Sequence, residues 1–188
     1  MRRLVLGLSS MTVALLLVGG VALADHLADT TQCPAGVEFC YGTEQSDHTY
    51  GTDTTDYIFA LGGDDQVDAD AGNDFVGGDQ GNDTLYGGDG GDRLDGGEGN
   101  DKHFGAAGPD ILDGYTGDDY LHGGTEQDDI DGGSGKDRIR ASSGPDQIYT
   151  GRDDRAVDTV DCGSGSDVVA FEKGIDKVNS NCEKKNPY

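Results

Sequence analysis

Residues 78–86 read GDQGNDTLY and residues 87–95 read GGDGGDRLD, two successive lines of one nine-residue pattern. Written GGxGxDxUx, with U a large aliphatic, the pattern has the period of a stacked solenoid rather than of a helix or an ordinary sheet. Counting the aspartate as position six and stepping by nine finds Asp47, Asp56, Asp65, Asp74, Asp83, Asp92, Asp101, Asp110, Asp119, Asp128, Asp137 and Asp146, with no slip.

Position eight is an independent check, because an acidic linker has no reason to place an apolar residue there. It reads Thr49, Ile58, Val67, Val76, Leu85, Leu94, His103, Leu112, Leu121, Ile130, Ile139 and Ile148. Aliphatics at all but two rows favour a fold over a disordered linker. Position four is Gly63, Gly72, Gly81, Gly90, Gly99, Gly108 and Gly117 through the middle rows, as a turn with positive φ requires.

Ahead of the repeats, Arg2 and Arg3 precede an apolar run to Val21, then Ala22, Leu23 and Ala24 in a small-x-small cleavage pattern. Residues 1–24 therefore read as a secretory signal peptide. Uncleaved, the run is long enough to span a bilayer. No later run approaches that length, so the cleaved chain is expected to be secreted, extracellular and free of membrane.

The chain carries 13 Lys and Arg against 37 Asp and Glu, a net charge of −24. Losing Arg2 and Arg3 leaves 11 against 37, or −26. Nucleic acid is excluded as a partner, since phosphate binding runs on Lys and Arg. Cations are the natural counterpart.

Four cysteines beside a signal peptide point to two disulfides, with three connectivities open. Cys33 and Cys40 are near neighbours, as are Cys162 and Cys182. The absence of any CxxC and the scatter of the four histidines argue against zinc–thiolate sites.

Residues 25–41 read as a lead-in and N-terminal cap, with Glu38 and Cys40 at positions six and eight of a degenerate row. Residues 42–149 are the regular repeats. Gln45 and Thr54 replace glycine at position four of the first two rows, which are expected to fold but to bind metal poorly. After Tyr149 the register slips by three residues and resumes as Asp158, Asp167 and Asp176, so residues 150–188 are closing rows, cap and tail. If two rows make one coil, Cys162 and Cys182 lie on stacked coils about 4.8 Å apart, within reach of a bridge.

The repeat resembles that of the hemolysin-type (RTX) calcium-binding family of secreted bacterial proteins, over about residues 42–179. The resemblance implies an all-β, right-handed parallel β-roll of nine-residue rows, here with disulfide-stapled ends. It implies a six-residue loop and three-residue strand per row, and calcium held between loops on one edge by position-six carboxylates and loop carbonyls. The implied ligands are Asp65, Asp74, Asp83, Asp92, Asp101, Asp110, Asp119, Asp128, Asp137 and Asp146. Elementary chemistry agrees, since calcium takes six to eight oxygens and a glycine loop can turn several carbonyls to one point. Requiring glycine and aspartate in both of two rows eighteen apart predicts roughly six good sites, with Glu126 interrupting one edge. Pro109 and Pro145 remove amide donors at position five.

Other residues read more plainly. His103 has no partner histidine at ligand spacing and is expected to mark a locally distorted row. Tyr50, Phe59, Tyr86, Phe104 and Tyr149 share position nine, which suggests an outward aromatic face for an extracellular glycan or protein partner. The first members of acidic pairs, Asp64 and Asp118, are expected to be loop surface. No nucleophile–base pair and no phosphate loop can be argued, so the chain is expected not to be an enzyme. An ice-binding ladder is disfavoured by the mixed residues at positions seven and nine.

Overall fold

The computed structural model describes residues 21–23, 31–33, 39–151, 155–172 and 175–187. The leader at residues 1–20, the lead-in at 25–30, Glu38 and the core of the insertion at 152–154 lie outside the described residues. Within them are nineteen strands and no helix. In chain order these begin β1 (Val21–Leu23), β2 (Thr31–Gln32), β3 (Phe39–Tyr41), β4 (His48–Thr52), β5 (Tyr57–Phe59), β6 (Gln66–Asp70) and β7 (Phe75–Gln80). The middle holds β8 (Thr84–Asp89), β9 (Arg93–Glu98), β10 (Lys102–Ala107), β11 (Ile111–Thr116), β12 (Tyr120–Thr125) and β13 (Asp129–Asp131). The chain closes with β14 (Arg138–Ser143), β15 (Gln147–Tyr149), β16 (Thr159–Asp161), β17 (Val168–Phe171), β18 (Lys177–Val178) and β19 (Lys184–Pro187).

Odd-numbered strands form one ten-stranded sheet and even-numbered strands a nine-stranded one, each in strict sequence order. Every pairing is parallel. The register is 18 residues, as in Leu85 opposite His103 and His103 opposite Leu121, so successive rows alternate between two facing sheets. This is a parallel β-solenoid. Across the insertion the register becomes 21, with Arg138 opposite Thr159, and it returns to 18 with Thr159 opposite Lys177, so the stack continues. The first rung, β1, pairs Val21 with Phe39 and is drawn from the segment read as a signal peptide. In a chain cleaved after Ala24, β3 becomes the outer rung of its sheet.

The middle strands run six residues, not the three that the resemblance implied. They extend from position seven to position three of the next row, and two residues in each face inward. The large one is position eight, a column from Thr49 to Ile148 at most 1% exposed. The small one is position one, filled by Ala60, Ala69, Ala141, Cys162 or glycine. A Cβ on Gly78 would stand 2.6 Å from the carbonyl oxygen of Gly96 on the next coil of the same sheet, so the stacked coils leave no room there even for a methyl.

Cys33 bridges Cys40 within one row, Cα atoms 5.7 Å apart, and Cys162 bridges Cys182 with Cα atoms 5.3 Å apart. The staples lie near the two ends, where a solenoid would otherwise fray. His103 corrects an expectation. It is fully buried in an uninterrupted β10, and its row is not distorted.

The single aromatic face is corrected too. Position nine alternates between sheets, so Tyr50, Tyr86 and Phe104 lie on one side and Phe59 and Tyr149 on the other. Instead, Phe39, Tyr57 and Phe75 at position seven join Tyr41 and Phe59 in a ladder on the odd-numbered sheet, centroids 5.2 to 6.3 Å apart.

Candidate metal centre

Each row from residue 60 to residue 149 turns through two left-handed residues. Position four is a glycine at φ between +115° and +152° in Gly63, Gly72, Gly81, Gly90, Gly99, Gly108, Gly117, Gly135 and Gly144. In the middle rows a Cβ there would overlap the position-four carbonyl of the coil before, as Gly81 would overlap that of Gly63, so stacked loops touch through bare main chain. Glu126 keeps the left-handed turn at φ +71° and does not break its edge. Its carboxylate accepts the Gly108 amide and the Thr125 hydroxyl.

Position two is the second, and sequence reasoning missed it. Leu61, Asp70, Asp79, Gly88, Gly97, Ala106, Tyr115, Gly124, Gly133, Ser142 and Gly163 all have positive φ. The signal was present as the second glycine of the repeat, obscured by the rows that put another residue there.

The position-six aspartates from Asp65 to Asp146 are at most 3% exposed, and their Oδ1 atoms form a ladder. The amide of Asp65 donates to Asp83 Oδ1, Asp83 to Asp101, Asp101 to Asp119 and Asp119 to Asp137, at 2.8 to 2.9 Å. On the other edge Asp74 donates to Asp92, Asp92 to Asp110, Asp110 to Asp128 and Asp128 to Asp146, at 2.9 to 3.0 Å.

The second oxygen divides these carboxylates into two kinds. In the end rows Asp47, Asp56 and Asp176 accept at Oδ2 from the amides of Thr43, Thr52 and Glu172, each at 2.7 Å. Hydroxyls of Thr43, Thr52 and Thr150 add a second bond. Those three amide donors are the position-two residues that are not left-handed. Where position two is left-handed, Oδ2 of Asp65, Asp74, Asp83, Asp92, Asp101, Asp110, Asp119, Asp128, Asp146 and Asp167 accepts no hydrogen bond although buried.

Asp167 was not among the expected ligands, yet Gly163 and Gly165 precede it at positions two and four. For Asp137, the tenth expected ligand, the ladder contacts are Oδ1 to Asp119 and its amide to Asp158.

A buried carboxylate oxygen without a donor is costly as an anion. Burial, and secondarily the like charges on the same edge, push Asp65 up to about 6. The same causes push Asp74, Asp83, Asp110, Asp119 and Asp128 to about 7. Burial also raises Asp92, Asp101 and Asp146.

One residue away the environment reverses. Asp64 accepts the amide and side chain of Asn82, which hold its carboxyl below the ordinary value. Asp64 and Asp118 lie on the loop surface as expected, where they are rungs of an outer ladder with Asn82 and Asn100. That ladder ends at the Lys136 amide and runs on the edge opposite Pro109 and Pro145.

A hard cation fits this arrangement. Beside Gly78, Gly105 and Gly114, Oδ2 of the row's own aspartate and a position-one carbonyl of the next coil converge, the carbonyl oxygen 2.5 to 2.6 Å from the point a Cβ would take, so a carboxylate and a main-chain oxygen are brought together at each. Among the described residues no three His, Cys, Asp or Glu side chains gather as a metal cluster, so main-chain carbonyls must complete any oxygen shell here.

Fold and site together define a parallel β-solenoid whose middle loops repeat one buried, half-satisfied carboxylate per row. The family model of the RTX calcium-binding nonapeptide repeat matches residues 41–76, 50–85, 76–102, 104–139 and 131–169. The chain belongs to that family, whose repeats bind calcium. No curated protein matches it.

Proposed function

We propose that this is a secreted scaffold protein whose position-six aspartates, Asp65 to Asp146 together with Asp167, bind several calcium ions with the loop carbonyls. The observation that carries the reading is the run of buried Oδ2 atoms without donors, confined to rows with a left-handed position two. Calcium supplies the positive charge that such oxygens lack, and the chain supplies spacing and carbonyls. Asp47, Asp56 and Asp176, whose second oxygens take main-chain donors, are not part of the set.

The role is structural rather than catalytic. Each row buries one large residue and orders nine, which leaves a metal-free chain marginal. The signal-peptide pattern and the disulfides support an extracellular location. A calcium titration of the oxidised chain, followed by far-ultraviolet circular dichroism with magnesium as control, tests the reading. Cooperative gain of strand signal with calcium alone is expected; a fully folded chain indifferent to calcium would sink it.

A second reading is favoured by the aromatic ladder of Phe39, Tyr41, Tyr57, Phe59 and Phe75. Five rings on adjacent rungs form a platform suited to a glycan or a protein partner, with the roll as its calcium-stiffened support. Calcium-dependent retention on immobilised polysaccharide, lost in Tyr57→Ala, is the expected result.

A further inference from the structure

Two rows lack an aliphatic at position eight, and one of them carries a histidine. At position eight of residues 96–104 stands His103, flanked in its sheet by Leu85 and Leu121. It is 0% exposed, and neither ring nitrogen has a hydrogen-bond partner. Packing alone does not call for it, since an aliphatic fills the same place in the rungs on either side.

Its surroundings carry the argument. Gly96, at position one of the same row, has no side chain. The point that its Cβ would occupy lies 2.5 Å from Asp101 Oδ2, 2.9 Å from His103 Nε2 and 3.0 Å from the Gly114 carbonyl oxygen. Asp101 is 1% exposed, and that Oδ2 accepts no hydrogen bond. Two unpartnered, buried side-chain atoms and a carbonyl thus converge beside Gly96, within 3.0 Å of the point its Cβ would take. At Gly78, Gly105 and Gly114 the three atoms nearest the equivalent point belong to the row's own carboxylate and to a main-chain carbonyl, with no nitrogen among them.

We propose that this row, in place of the calcium its neighbours take, binds one borderline divalent ion of the zinc class, through His103 Nε2, Asp101 Oδ2 and the Gly114 carbonyl. Calcium takes oxygen donors, whereas an imidazole nitrogen selects zinc, cobalt, nickel or copper. Nitrogen, carboxylate and carbonyl supply three positions, and a tetrahedral ion leaves the fourth to water. The site is closed in the folded roll, so the ion enters as the rows stack.

Cobalt(II) is the probe, because its visible absorption reports a low-symmetry nitrogen- and oxygen-ligated site. The oxidised full chain is folded with calcium in the presence of cobalt, and the band is followed to saturation and then displaced with zinc. One equivalent saturates the wild type. His103→Leu, which restores the pattern of the neighbouring rows, loses the band while keeping its calcium-dependent strand signal. His48→Ala and His122→Ala keep the band, and Asp101→Asn weakens cobalt binding at least tenfold. A wild type with no band at one equivalent, its three atoms bridged by water alone, overturns the proposal; so does a band that survives in His103→Leu. Failure of calcium to raise the strand signal would count against the calcium reading and leave the cobalt result to decide this one.

Discussion

Asp83 accepts the amide of Asp65, 18 residues earlier, through Oδ1 at 2.8 Å, and leaves its Oδ2 buried without a donor. One carboxylate thus does two separable things: it ties coil to coil, and it offers a charge. Asp83→Asn keeps an oxygen for the Asp65 amide and removes the charge. It is expected to raise the calcium needed for half-maximal strand signal by roughly tenfold, about 1.4 kcal/mol of binding. Asp83→Ala also strands the Asp65 amide, a further cost of about 1 to 3 kcal/mol. Paired calcium and urea titrations separate the two.

Acid should stand in for calcium. Asp65, Asp74, Asp83, Asp110, Asp119 and Asp128 rise from an ordinary 3.8 to about 6 or 7 in the folded roll. The folded state therefore holds more protons than the unfolded state in that window. Its stability without metal is fullest below 3.8 and is lost as pH rises through 6 to 7. Metal-free chain is expected to show more strand signal at about pH 4.5 than at about pH 8, with calcium erasing the difference. Equal signal at both pH values would contradict the burial of these charges.

Position two should respond to glycine. Ala106 stands at φ +83°, a conformation that glycine adopts without the cost that a Cβ imposes. Ala106→Gly is expected to stabilise the calcium-loaded roll by about 1 kcal/mol in denaturant titrations. Gly81→Ala works the other way. Gly81 is at φ +136°, and its new methyl would run into the Gly63 carbonyl, costing at least about 1 to 3 kcal/mol.

The closing staple should matter more than its distance from the middle rows suggests. Cys162 and Cys182 are 20 residues apart, and removing a bridge over such a loop costs about 3 kcal/mol. Because neighbouring rows support one another, Cys162→Ser with Cys182→Ser is expected to raise the calcium midpoint as well as lower the melting temperature. Hydrogen exchange should show the loss fading from β17 toward β9.

Much of this molecule is legible in its sequence, because a repeat is local information copied many times. The nine-residue spacing alone picks out Asp65 to Asp146 and the inward column from Ile58 to Ile148, and the paired cysteines sit where the ends need closing. What spacing cannot carry is the contact between rows 18 residues apart. The turn at position two decides whether an amide reaches Oδ2, and it separates Asp47 and Asp56 from Asp65 although all three occupy position six. Alternation between two sheets sends Phe59 and Tyr86 to opposite sides although both occupy position nine. His103 looked like a fault in the pattern, and only the stacking of coils brings it to Asp101 and the Gly114 carbonyl. Sequence by itself determined the period and, through it, which carboxylates are buried. The tertiary structure decided which of them keep an oxygen unpartnered, because backbone handedness and coil-to-coil hydrogen bonds arise only when the rows stack.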